Sequence, residues 1–129
     1  MMRGIKFRGK RVDNGEWVYG HYINVGAYKD DLGHRIGSPN SWDMFKVDTE
    51  TVGQYIRLND KHQKETFSGD IIQQHDSRCM VRDREGGWEL EMINGRYSGS
   101  TFTISFLSSE HFEIIGNIHD NPELLEVVK

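Results

Sequence analysis

The stretch Phe67-Ser68-Gly69-Asp70-Ile71-Ile72-Gln73-Gln74-His75 decides the fold class. A Gly-Asp step opens a short apolar run. Glycine supplies a backbone angle that other residues reach only with strain, and aspartate hydrogen-bonds nearby backbone in the turn. The two isoleucines that follow are β-branched and suit a buried strand. A turn leading directly into a strand is therefore expected here.

Working outward toward the C-terminus, Cys79-Met80-Val81-Arg82 is strand-like and residues 83–87 read as a turn. Trp88, Leu90 and Met92 alternate with Glu89 and Glu91, the period of a half-buried strand. Asn94-Gly95 is a hairpin-type dipeptide, with a longer loop running on to Ser100. Residues 101–107 form a further expected strand, alternating Phe102, Ile104 and Phe106 on one face, and residues 112–118 another, with Gly116 inside it. Asn121 as an N-cap, Pro122 in the first helical position and Glu123 near the positive helix end predict a short C-terminal helix. Leu124, Leu125 and Val128 would share one face of it.

Toward the N-terminus, residues 59–64 are a polar turn, residues 52–55 are weakly strand-like, and residues 44–47 alternate with Phe45 and Val47 matched. Residues 26–43 read as a long loop with a short strand at residues 34–36. Ile5 and Phe7 alternate with Lys6 and Arg8, which gives one buried and one solvated strand face. The Asp13-Asn14-Gly15 turn then leads to a second strand over residues 17–25. These two strands make an N-terminal hairpin in which Gly20 marks a bulge or a close backbone approach. A Gly-Asp step opening an apolar strand is a common start to a small SH3-like barrel. The expected architecture is thus mostly β. An N-terminal β segment (1–58, with its loop at 26–43) precedes an SH3-like, partly open barrel with the C-terminal helix (59–129).

Bulk composition agrees with a small folded protein. The chain has 129 residues, a size that buries roughly two-thirds of its unfolded surface without staples. Three Trp, five Tyr and six Phe argue against disorder, and 14 glycines against two prolines suggest many turns. The single cysteine, Cys79, cannot form an internal disulfide or a Cys-paired zinc knuckle. The first twenty residues hold no apolar signal region, and no run reaches the ~18 apolar residues of a membrane span. A cytoplasmic protein is expected.

The net charge of −4 is unevenly spread. Residues 1–49 carry eight Lys/Arg and six Asp/Glu, whereas residues 50–129 carry eight and fourteen. Arg3, Lys6, Arg8, Lys10 and Arg11 all precede the first acidic residue. They are a candidate patch for nucleic acid or an acidic protein, with Trp17, Tyr19 and Tyr22 available for stacking. The competing reading is that these charges balance acids of the C-terminal half.

Six histidines (His21, His34, His62, His75, His111, His119) show no dense metal-ligand spacing; His75-Asp76 with Cys79 is the tightest cluster. His119-Asp120 is read as a strand end and cap rather than a general-base pair, and Glu89 and Glu91 as a wet strand face. No nucleophile elbow, phosphate loop or dinucleotide fingerprint occurs. No enzyme, metal or cofactor is expected.

Three stretches resemble the YopX family. They are Ile5-Lys6-Phe7-Arg8 with Trp17-Val18-Tyr19-Gly20; Thr51-Val52-Gly53-Gln54-Tyr55 through Leu58, Asp60 and Lys61 to Gly69-Asp70-Ile71-Ile72; and Phe112-Glu113-Ile114-Ile115-Gly116-Asn117-Ile118-His119 with Asn121-Pro122-Glu123-Leu124-Leu125. The resemblance implies an N-terminal β segment followed by an SH3-like barrel, and a phage or prophage origin. It implies no activity and carries over no catalytic residue. Arg57 departs from it, standing where the family often has glycine, and Lys61-His62-Gln63-Lys64 replaces an Asn-Gly type of turn.

The function expected from all this is a phage or prophage accessory protein, a non-enzymatic protein-binding module or homo-oligomer, whose partner is a phage or host protein. The long loop, with its aromatics Tyr28 and Trp42, is the candidate protein-binding surface. The alternative is a nucleic-acid binder using the basic N-terminal strand.

Overall fold

A computed structural model describes residues 5–24, 34–37 and 43–126. Two compact units make up the chain, Met1–Tyr55 and Ile56–Lys129. The described strands form two antiparallel sheets.

In the first unit, β1 (Phe7–Lys10) and β2 (Trp17–Asn24) form the expected hairpin, with Lys10 opposite Trp17 and Arg8 opposite Tyr19. β3 (His34–Gly37) and β4 (Met44–Lys46) extend the sheet beyond β2. On the other side of β1 lies the start of β5 (Gly53–Asn59), after a single 3-10 turn at Thr49–Thr51. An isolated bridge between Arg11 and Val47 ties the end of β4 back to the end of β1. Gly20 is a close-approach position, as its sequence context predicts. It has φ +156°, and a Cβ there would sit 2.0 Å from the Gly37 carbonyl oxygen. Ile36 and Val47 are buried at the centre, and both press on Gly9, where a Cβ would meet them at 3.1–3.2 Å.

In the second unit, the rest of β5 turns through residues 60–64 into β6 (Glu65–Phe67). The Gly-Asp step then behaves as the sequence predicts. Gly69 adopts φ +97°, and the buried Asp70 carboxylate accepts the Phe67 amide at 2.8 Å. From there β7 (Asp70–Gln74), β8 (Ser77–Arg84), β9 (Gly87–Met92) and β10 (Thr101–Thr103) run as a meander, and β11 (Glu113–Asn117) returns beside β7. The core is one cluster of Ile56, Ile72, Cys79, Val81, Leu90, Met92 and Phe112.

Several expectations are corrected. β5 is longer than the weak signal at residues 52–55 implied. The turn between β8 and β9 is confined to Glu85-Gly86, because both strands run on to pair Arg84 with Gly87. Residues 101–107 are not one strand. β10 ends at Thr103 and a 3-10 turn, Ile104–Phe106, follows. The cause is the buried Gln74 amide, which donates to the Phe106 carbonyl (2.9 Å) and accepts the Ser108 amide (2.7 Å), holding the segment off the strand path. The short C-terminal helix is a 3-10 turn, Pro122–Leu125. Asn121 makes no side-chain cap; its Oδ1 accepts the Asn117 amide at 3.2 Å instead. Neither sheet closes into a barrel; β10 and β11 are edge strands of the five-stranded sheet.

Candidate functional site

Alternation along β1 puts Lys6, Arg8 and Lys10 on one face. That face is not the solvated one expected of it, because Arg8 is only 6% exposed. Trp17, opposite Lys10 on β2, receives both cations. Arg8 Cζ lies 4.6 Å and Lys10 Nζ 5.4 Å from its ring centre, within reach of the ring's negative face. Trp17 is thus engaged with the cations of the neighbouring strand β1 rather than free to stack on a base.

Arg11 is held in a fork. Its Nε donates to Asp13 Oδ1 at 2.9 Å and its terminal nitrogen to Asp13 Oδ2 at 2.6 Å, while Phe45 lies 4.2 Å beneath the guanidinium. The hydrogen bond, with the attraction between the charges, raises the Arg11 pKa and lowers that of Asp13. The charge of Arg11 is therefore balanced inside its own hairpin, by Asp13. Tyr22 continues the ladder. Its ring packs on Phe7 at 5.4 Å and stacks on His34 at 5.8 Å, and its hydroxyl hydrogen-bonds His34 Nδ1. Of the predicted patch, Arg3 lies outside the described residues, as do Tyr28 and Trp42.

The remaining histidines are scattered. His62 pairs with Glu113 at 3.2 Å, and His75 meets the His111 ring at 5.2 Å. Cys79 shares no site with His75, which is exposed in the β7–β8 turn. The thiol is fully buried, burial pushes its pKa up to about 11, and it donates to Met92 Sδ at 3.2 Å. His119 and Asp120 present their amides to Asn117 Oδ1, as strand-end groups do. Among the described residues, no three His, Cys, Asp or Glu side chains gather as a metal site. No helix among them is long and apolar enough to cross a membrane.

The second unit carries a surface that the alternation concealed. Tyr97 meets Phe102 edge-on at 5.9 Å, and Phe102 stacks on Phe106 at 5.7 Å. Tyr97 is 54% and Phe106 39% exposed. The row runs along β10, the outermost strand of its sheet. Sequence reading placed Phe102 and Phe106 on one face of a single strand; the 3-10 turn takes Phe106 off that strand.

The chain matches the family described as YopX protein over residues 6–126. It belongs to the YopX family. A search of the curated proteins finds no match. Among solved structures, the chain is similar to protein EF1440 from Enterococcus faecalis, with a TM-score of 0.55, 21% identity and coverage of 95% of this chain and 98% of that one. At that identity the likeness shows a shared fold. For a YopX protein, Arg57 is informative. It adopts φ +67°, the left-handed region that glycine enters without strain.

Proposed function

We propose that this YopX chain is a phage or prophage accessory protein of the cytoplasm, acting as a non-enzymatic protein-binding module. What supports an SH3-like reading of the second unit is its strand order. Four strands meander from β7 to β10, a 3-10 turn follows, and the last strand returns beside the first.

The observation that carries the binding role is the half-exposed aromatic row Tyr97–Phe102–Phe106 alongside the outermost strand β10. An edge strand offers backbone donors and acceptors to an added strand, and flanking aromatic rings supply pockets for its side chains. The occupant is an extended segment of a partner protein laid against Thr101–Thr103. The cations of β1 argue against the nucleic-acid alternative, since Arg8 is buried on Trp17 and Arg11 is neutralised by Asp13.

The test is affinity capture from a bacterial host lysate, with and without nuclease, using the native chain and a Tyr97→Ser/Phe106→Ser variant. A protein held by the native chain in both conditions and lost by the variant supports this reading. Partners lost on nuclease treatment move nucleic acid to the front. Association of the chain only with itself, seen by sedimentation and abolished by the same variant, makes β10 a homo-oligomer edge instead.

A further inference from the structure

The five-stranded sheet of the second unit has two edges, and they are built differently. At β11 the edge is blocked. The strand carries a bulge between Ile114 and Gly116, and the turn at residues 60–64 lies along it. Lys61 donates its amide to the Phe112 carbonyl (2.9 Å), Asp60 Oδ2 accepts the Ile114 amide (3.0 Å), and Glu113 pairs with His62 at 3.2 Å. Bulges, charges and a covering loop are the devices that keep a sheet edge from pairing with another chain. β10, though short, has none of these among the described residues. Residues 97–109 hold no Lys, Arg, Asp, Glu or Pro, in a chain of which 28% is charged.

The ladder fixes which backbone groups of β10 face outward. The Val81 carbonyl accepts the Gly69 amide on the β7 side (2.7 Å), so Val81 and Leu90 are a pair without hydrogen bonds, and Leu90 turns to Phe102 on β10. The bond from the Met92 amide to the Ser100 carbonyl (2.9 Å), two residues along, has the same phase. Thr101 therefore directs both its N–H and its C=O at the open edge. Thr103 directs its N–H there, while its carbonyl caps the 3-10 turn that follows. Both threonines are exposed. On one face Phe102 lies between Tyr97 and Phe106. On the other, Glu91 and Glu89 stand opposite Thr101 and Thr103, and Arg82 holds each carboxylate at 2.7 Å. Arg84 adds a contact to Glu89 at 3.6 Å, so the charges behind the edge balance within the sheet.

We infer that the free chain covers β10 with the same edge of a second copy, antiparallel about a two-fold axis through Thr101. The contact is isologous: Thr101 exchanges both backbone hydrogen bonds with its equivalent, and Phe102 falls opposite Ser100 of the second copy. A neutral, β-branched strand is its own complement, and it brings no like charges together although each chain carries a net charge of −4. On the aromatic face the two rows run in opposite senses, the Tyr97 end of one beside the Phe106 end of the other. β10 has three residues, so the contact is small and reversible. This goes beyond the proposed capture of a partner segment, which takes the same edge and so competes with the second copy.

Sedimentation of the full chain from about 10 μM to about 1 mM is the test. The native chain is expected to pass from monomer to dimer across that range. Thr101→Lys and Thr101→Glu, each alone, should raise the dissociation constant about tenfold or more, since like charges then face each other across the axis. An equimolar mixture of the two should regain at least the native association, because a pairing that sets position 101 against itself opposes Lys to Glu. Both substitutions fall on an exposed side chain, and unchanged hydrogen exchange in β7, β8 and β9 shows that each variant is folded. A native chain that stays monomeric at about 1 mM overturns the inference. So does a mixture no more associated than either variant alone. Self-association that survives both substitutions places the contact elsewhere on the chain and overturns the β10 assignment. Partner capture is judged apart from these outcomes, by the lysate experiment with the Tyr97→Ser/Phe106→Ser variant.

Discussion

In the Ile56–Lys129 unit seven side chains, from Ile56 to Phe112, form one apolar cluster. In the Met1–Tyr55 unit the buried aliphatic side chains, among the described residues, are Ile36 and Val47. The first unit is instead held by backbone proximity at Gly9 and Gly20 and by cations laid on Trp17 and Phe45. The second resembles an ordinary domain core, in which stability scales with apolar area removed from water. The first depends on steric fit and on contacts worth about 0.5–2 kcal/mol each. The difference teaches that a mostly β pattern can be carried by two unlike kinds of interior. It also says where each unit is most fragile.

The largest effect is expected at Phe112, which is fully buried in the second core. Phe112→Ala should cost about 3–5 kcal/mol, the usual range for an emptied aromatic site. Cys79 gives the readout. Its buried thiol, with a pKa near 11, is unreactive until that core opens. Alkylation of Cys79 should therefore begin at much lower denaturant in the variant. Alkylation at an unchanged midpoint would mean that the cluster is not what holds the second unit.

Gly20→Ala tests the other side of the contrast. The added Cβ would lie 2.0 Å from a backbone oxygen of Gly37, which no side-chain rotation can relieve. A loss of about 2–3 kcal/mol is expected, a size tied to backbone strain. Hydrogen exchange should speed up in β2 and β3. Native-like protection there would remove backbone proximity as the organising feature of the first unit.

Much of this was legible in the sequence. The period-two runs located most of the strands, and Gly20 and the Gly69-Asp70 step announced their roles. What failed did so for long-range reasons. The alternation of Phe102, Ile104 and Phe106 satisfies a strand pattern, and only the Gln74 amide, some thirty residues away, breaks it. Lys6 and Arg8 looked solvated because a charged residue at a strand position ordinarily faces water; Trp17 reverses that for Arg8. The N-terminal cations are close together in the sequence, but the neighbours that absorb or redirect Arg8, Lys10 and Arg11 had to be seen in space.

Asp60 shows how the second unit fastens its turn. This buried carboxylate accepts the His62 and Lys64 amides at Oδ1, both at 2.9 Å, and the Ile114 amide at Oδ2 at 3.0 Å. Burial pushes its pKa up, but the three amides and the His62 charge outweigh that and lower it overall. A depressed folded-state pKa contributes stability above the unfolded value of about 4 and loses it as the pH falls through the folded value. Asp60→Ala should cost about 1–3 kcal/mol at neutral pH by leaving three amides without their acceptor. The penalty should shrink in acid below about pH 4, where the native carboxylate is itself being lost. Urea titrations at neutral and acid pH measure both; a penalty independent of pH would assign the effect to packing.

The smallest effect has the opposite sign. Arg57 is exposed and holds φ +67°, so its Cβ is strained while its side chain buries little. Arg57→Gly should stabilise the chain by about 1 kcal/mol, because relief of the left-handed penalty exceeds the extra entropy that glycine loses on folding. Arg57→Ala keeps the Cβ and should bring no gain, and Arg57→Asn should fall between the two. The ranking Gly > Asn > Ala in denaturation midpoint isolates backbone strain from lost contacts. A ranking with Ala equal to or above Gly would show that the arginine position is relaxed. Position 57 would then carry no backbone strain, and the left-handed conformations of the second unit would be sought at Gln63 and His75 instead.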